Sequence, residues 1–158
     1  MIQLKKIDHD IWEAVIKLQV SEDQKDFVAP NIYSLAEAYV DSTNDYDPPF
    51  AYAICNNGEP VGFIMGNYIT AESNEWDDEA IYHICRFMID KNHQRKGHGR
   101  AGLTKMLELL KTSPIGEADA VTIGSEPEND AVRKLYDSLG FVEVNYELGD
   151  EIIARLAL

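Results

Sequence analysis

Residues 94–100, Gln94-Arg95-Lys96-Gly97-His98-Gly99-Arg100, place two glycines among three cations. Ahead of them runs Ile81-Tyr82-His83-Ile84-Cys85-Arg86-Phe87-Met88-Ile89-Asp90, an apolar stretch that reads as a strand. Behind them Leu103, Met106, Leu107 and Leu110 recur at helical spacing. The segment therefore stands where a strand hands over to a helix N-terminus, whose first N–H groups lack intrahelical partners and carry the positive end of the dipole. Such a place binds anions. Gly97 and Gly99 keep side chains off the backbone path, while Arg95, Lys96 and Arg100 spread charge over more than one phosphate, so a pyrophosphate fits best.

Two other phosphate motifs compete. Gly97-His98-Gly99-Arg100-Ala101-Gly102 also satisfies G-x-G-x-x-G, with Glu126 as the downstream acid that would meet a ribose. In that unit the first glycine follows its strand directly and opens the domain; here Lys91-Asn92-His93 intervene and hairpin-like segments come first. A Walker loop fails for want of Gly-Lys-Ser/Thr. Taken alone, the loop could also be a glycine-bearing turn with a solvated basic face.

A second stretch, Glu128-Asn129-Asp130-Ala131-Val132-Arg133-Lys134-Leu135-Tyr136-Asp137-Ser138-Leu139-Gly140-Phe141, decides among these. The pair resembles the GNAT superfamily of acetyl-CoA-dependent N-acetyltransferases. The family's loop, Arg/Gln-x-x-Gly-x-Gly/Ala, is met by Gln94, Gly97 and Gly99; its later Asn-x-x-Ala, Tyr and Gly-Phe are met by Asn129, Tyr136, Gly140 and Phe141. The look is nearest to bacterial spermine/spermidine (diamine) acetyltransferases, which Val20-Ser21-x-x-Gln24 also resembles. The resemblance implies an α/β fold, with a mostly antiparallel twisted sheet of six to seven strands flanked by about four helices. It implies acetyl-CoA as cosubstrate, held by Gln94, Arg95, Lys96, Gly97, His98, Gly99, Arg100 and Asn129. The main chains of Phe87, Met88 and Ile89 would meet the pantetheine arm where the strand splays from its neighbour.

The reaction so implied is direct acetyl transfer to a primary amine, with Tyr136 as the acid that protonates the departing thiolate. Polyamine acetyltransferases tend to carry a carboxylate at the position of Cys85, so the base has to be sought elsewhere: a water chain ending at Glu75, Glu79 or His83 is one route. Glu22, Glu75, Glu79 and Cys85 are the acceptor-side candidates. The acids near Glu22 read ammonium groups or form a solvated turn. Those around Trp76 make a groove for a polycation or a solvated loop. Asn129 as a plain helix cap and Tyr136 as a plain packing aromatic remain structural alternatives. An aminoglycoside, an amino acid or a protein N-terminus are other acceptors, and a CoA-binding module without turnover is the non-enzymatic alternative. His83, Cys85 and Cys55 lack the spacing of a metal site, so no metal is expected.

The elements that position these groups follow from pattern. At 158 residues with 45% hydrophobic content, the chain is expected to be a single domain, 1–158, with a real core. Ile2 to Lys6 alternates as a first strand. Asp8 or Asp10 can cap a helix with Ile11, Ala14, Val15 and Leu18 inward, and a second helix from Ile32 to Val40 would turn Ile32, Leu35, Ala36 and Tyr39 inward. Asn57-Gly58 joins Phe50–Cys55 to Pro60–Tyr68 as a hairpin. In the strand from Ile81, His83 and Cys85 share a face and Arg86 takes the other unless a bulge intervenes. Ala120 to Ser125 is a parallel neighbour, and Phe141–Glu147 with Glu151–Leu156 close as a hairpin through Gly149-Asp150.

Twenty-eight acids against fourteen bases give a net charge of −14, which repels nucleic acid and anionic lipid and draws small cationic amines. No apolar run reaches membrane-spanning length and the N-terminus lacks a signal-like core, so a cytoplasmic enzyme is expected, with no membrane partner. Cys55 and Cys85 read as small buried hydrophobes. A homodimer is expected by analogy with the family.

Overall fold

Asn57 and Gly58 both take positive φ, 50° and 87°, the backbone that a tight hairpin between right-twisted strands requires. The computed structural model describes residues 1–158. The hairpin joins β2 (Pro49–Asn56) to β3 (Glu59–Ile69). Around them the chain runs β1 (Ile2–Lys6), α1 (Trp12–Lys17), a 3₁₀ turn (Glu22–Phe27) and α2 (Asn31–Thr43). After β3 come β4 (Ile81–Ile89), α3 (His98–Leu110), β5 (Ala120–Ser125), α4 (Asp130–Ser138), β6 (Val142–Leu148) and β7 (Glu151–Ala157).

The seven strands form one sheet in the order β1-β2-β3-β4-β5-β7-β6. Only β4 and β5 are parallel, joined through α3; the other pairings are antiparallel. The mixed α/β architecture with a mostly antiparallel sheet and four α-helices matches the fold expected from the sequence. No helix is long and apolar enough to cross a membrane.

Apolar side chains cover both faces of the sheet. On one, Leu103, Met106 and Leu110 of α3 pack on Tyr82, Ile84, Val121 and Ile123. On the other, Ile11 and Val15 pack on Ala53, Phe63, Met65 and Met88. The first two helices depart from the sequence reading. Ala14 is exposed, and Asp8 accepts from the Asp10 amide in the preceding turn instead of capping α1. On α2, Ala36 is exposed and Ile32 and Tyr39 stand 60% and 70% exposed, whereas Asn31 and Ser34 face inward. The reason is a polar anchor: Asn31 Nδ2 donates to the Val15 carbonyl at 2.9 Å, which fixes the rotation of α2 on the end of α1.

Two irregularities of β4 build the site. Met65 pairs with Arg86 and Gly66 with Ile84, so Cys85 is the extra residue of a β-bulge. The bulge resets the alternation: Tyr82 and Ile84, then Phe87 and Ile89, face the α3 layer. Arg86 is thereby sent to the α2 side, where its guanidinium lies 3.5 Å from Glu37. The second irregularity is a divergence. β4 pairs with β5 only from Ile81–Ile84 against Ala120–Ile123, while β5 continues beside β7 to Ser125. A notch opens between the two parallel strands.

Candidate active site

A cleft of about 360 Å³ occupies that notch. It is lined by β4 from Ile84 to Ile89, the loop before α3, the end of β5, the inner face of α4 and the 3₁₀ segment at Gln24 and Phe27. Its volume falls in the ordinary range for small-molecule sites.

At one end stand the amides of Gln94 to Arg100. None donates to a protein acceptor; the Ala101 amide, bonded to the Gly97 carbonyl at 3.1 Å, is the first that does. Gly97 caps α3 at φ 81°, a conformation disfavoured for a side chain, and the space where a Cβ would project is open for 4 Å. Free amides on an open helix N-terminus form an anion cradle. Arg95 and His98 line the cleft beside them.

The loop's other polar groups are employed differently. Gln94 Nε2 donates to the Ile89 carbonyl at 2.9 Å and to Gln24 Oε1 at 2.8 Å, so its side chain is a strut that pins the loop to β4 and to the 3₁₀ turn. Gln24 also accepts from the Ser21 amide at 3.4 Å. The Val20-Ser21-x-x-Gln24 and Gln94 patterns, far apart in sequence, thus meet. Asp90 completes this corner by accepting from the amides of Gln19 and Asn92, bonds that overcome burial and hold its carboxyl below the usual range. Lys96 reaches the Asn92 carbonyl and Arg100 the Ser138 hydroxyl; both are exposed and outside the cleft lining.

Across the notch, Asn129 precedes α4 without a side-chain capping bond and lines the cleft, its side-chain amide without a protein partner. Tyr136 is 4% exposed, between Phe87 and Phe141 at ring separations of 6.4 and 5.9 Å, and its hydroxyl makes no hydrogen bond to protein. Burial, reinforced by the charge of Glu151, raises the phenol well above its ordinary value. Phe87, Met88 and Ile89 line the same wall.

The acceptor-side candidates scatter. Cys85 lines the cleft, its thiol pushed up to about 11 by burial and therefore protonated at neutral pH. Glu22 is exposed and paired to Lys25 at 2.6 Å. Glu75 is exposed on the loop before β4 and outside the cleft lining. Glu79 accepts two bonds from Arg155, at 2.8 and 2.6 Å. Trp76 stacks on Tyr146 at 5.5 Å and packs over Ile69, Ile81 and Ala120; the apolar area it covers outweighs any role as an open cation platform. His83 is buried, bonded through Nδ1 to Thr122 at 2.8 Å, and held neutral with its pKa lowered to about 4 by burial and Arg86. None of Glu75, Glu79 and His83 lines the cleft.

One carboxylate in the cleft escaped the sequence reading. Glu151, the first residue of β7, lines the notch, and its carboxylate forms no hydrogen bond or ion pair. Its only local signal was its place after the Gly149-Asp150 turn; the sheet order that inserts β7 beside β5 is what brings it to the site.

A divergent parallel pair, an anion cradle at one end and an enclosed phenol at the other define an acyltransferase of the CoA-dependent kind. The pattern of the Acetyltransferase (GNAT) family matches residues 12–141, and the chain belongs to that family. It is an acetyl-CoA-dependent N-acetyltransferase, and the free amides and open Gly97 fit a pyrophosphate-bearing cosubstrate. Among relatives, it is 26% identical over 98% of its length to a probable spermine N(1)-acetyltransferase of Bacillus subtilis subsp. natto (strain BEST195), covering 97% of that protein. The fold is similar to that of the PaiA N-acetyltransferase of Thermoplasma acidophilum, solved with coenzyme A (TM-score 0.69, 15% identity, 100% of this chain and 99% of that one). It is also similar to the aminoglycoside acetyltransferase AAC(6')-Ib, solved with coenzyme A (TM-score 0.76, 16% identity, 99% and 95%).

Proposed function

We propose that residues 1–158 act as one acetyltransferase domain on a primary amine of a small polycation of the spermine or spermidine class, with Tyr136 as the acid. The observation that carries the reading is the Tyr136 hydroxyl, free of protein partners in a cleft whose far end is a row of free amides. When bound, acetyl-CoA supplies a thioester for the amine to attack and a thiol to leave. Arg95 and the amides from Gln94 to Arg100 hold its phosphates, and Asn129 with the main chains of Phe87, Met88 and Ile89 orient the arm. Tyr136 keeps its proton at neutral pH and delivers it to the leaving sulfur. Lys96 and Arg100, outside the cleft lining, act on the phosphates at longer range.

Support for a polycationic acceptor comes from the net charge of −14 and from the relative described as a probable spermine acetyltransferase. The test is release of CoA thiol from acetyl-CoA with spermidine, with an aminoglycoside, with an amino acid and with no acceptor. Fastest release with spermidine is expected. Faster release with one of the others would replace the polyamine, and tight acetyl-CoA binding without release for any amine would make the chain a binding module.

A further inference from the structure

We propose that Glu151 is the proton acceptor of the amine, a role that rests on the acetyltransferase reading above. An alkyl ammonium with pKa near 10 is neutral in only about a thousandth of molecules at pH 7, so a group that takes its proton at the site gains rate. On the β4 side of the cleft stands Cys85, whose thiol stays protonated at neutral pH and so offers no base. Glu151 stands across the same notch. Its carboxylate lies over Gly124, where a Cβ would come within 2.1 Å of Oε2, at the point where β5 has parted from β4. It has no partner within the protein, unlike Glu22 and Glu79, and its charge reaches both Cys85 and Tyr136.

The groups coupled to it by charge are Glu126 after β5, Arg86 and Cys85 from β4, and Tyr136 from α4, while β6, the strand paired with it, contributes none to the cleft. Burial raises its pKa, Glu126 adds to the rise and Arg86 opposes it, so the carboxylate is a stronger base than an ordinary glutamate. Over the reaction the amine nitrogen loses two protons. Glu151 takes the first from the ammonium and returns it to solvent. The nitrogen–carbonyl bond then forms and the carbon–sulfur bond breaks; Tyr136 protonates the sulfur and is restored by the second proton from nitrogen.

Glu151→Gln should lower kcat with spermidine by roughly 100-fold at pH 7 with acetyl-CoA affinity unchanged. The deficit should shrink below tenfold near pH 10, where about half of the amine is neutral without help. Glu151→Asp should restore part of the rate. In the unloaded protein, carboxyl-carbon NMR titration should place Glu151 above the ordinary glutamate range, its resonance assigned by its loss in Glu151→Gln. A deficit that stays constant with pH, an unchanged rate, or an ordinary titration overturns the assignment. If the wild-type chain itself releases no CoA with any amine, the fault lies in the acetyltransferase reading and the NMR titration alone decides the state of Glu151.

Discussion

The two ends of the cleft are built in opposite ways. The donor end is a contiguous strand, loop and helix in which β4, the amides of Gln94 to Arg100 and α3 follow one another along the chain. The acceptor end is assembled from residues brought together only by the sheet: Arg86 turned over by the bulge, Glu126 after β5 and Glu151 from β7. Local backbone chemistry specifies the first, since helix termini and positive-φ glycines work wherever they occur. Long-range register specifies the second.

If this contrast holds, changes at the donor end act on affinity, while changes at the acceptor end and around it act on rate or on how the fold is held. The largest effect is expected from Tyr136→Phe. Removing the hydroxyl should cut kcat by roughly two to four orders of magnitude, with calorimetric affinity for acetyl-CoA nearly unchanged because the ring still packs between Phe87 and Phe141. An unaltered rate would remove the phenol from the chemistry and leave it as a packing aromatic.

What was legible in advance follows the same division. Gly97, Asn129 and Tyr136 stand in short patterns whose spacing survives any tertiary arrangement, and all three line the cleft. Glu22, Glu75 and Glu79 stand out in the sequence by charge, the last two also by their place beside Trp76. Charge composition does not say which carboxylate already has a partner, and Lys25 and Arg155 hold two of the three. The rotation of α2 was missed because a polar pair, Asn31 and Ser34, faces inward where hydrophobic periodicity had put Ile32 and Tyr39. Arg86 changed sides for a reason the alternation rule itself anticipates, a bulge, but nothing local to the strand marks Cys85 as the extra residue.

Next in size is a pH effect on stability, at His83 beside the cleft. His83 titrates near 6.5 when unfolded and at about 4 when buried. Between those values the unfolded chain holds the extra proton, so the stability due to the neutral imidazole is complete above about 6.5 and is lost as pH falls towards 4. The gap corresponds to about 3 kcal/mol at most. Denaturant midpoints from pH 7 to pH 4 should fall less steeply in His83→Gln than in the wild type; parallel slopes would mean that His83 is solvated in the folded protein.

Gly97→Val probes the donor end, at smaller scale. A β-branched residue at φ 81° costs about 1–2 kcal/mol and puts its methyls into the open space beside the free amides. Acetyl-CoA should bind about tenfold more weakly, with kcat at saturation little changed. Equal binding would mean that the phosphates lie elsewhere than over this loop.

The smallest expected effect makes the sharpest distinction between the two ends. Glu79 looked like a reader of ammonium groups, yet its carboxylate makes a two-pronged bond to Arg155, which ties the loop before β4 to β7. Both side chains are about one-third exposed, at 34% and 30%, so solvent screens the pair and its net worth is about 1 kcal/mol or less. Glu79→Ala should therefore lower the unfolding free energy by that amount and leave KM for spermidine unchanged. A KM that rises severalfold while stability holds would return Glu79 to the substrate. It would also show that the acceptor end reads cations through its surface loop, with Glu151 only one carboxylate among several.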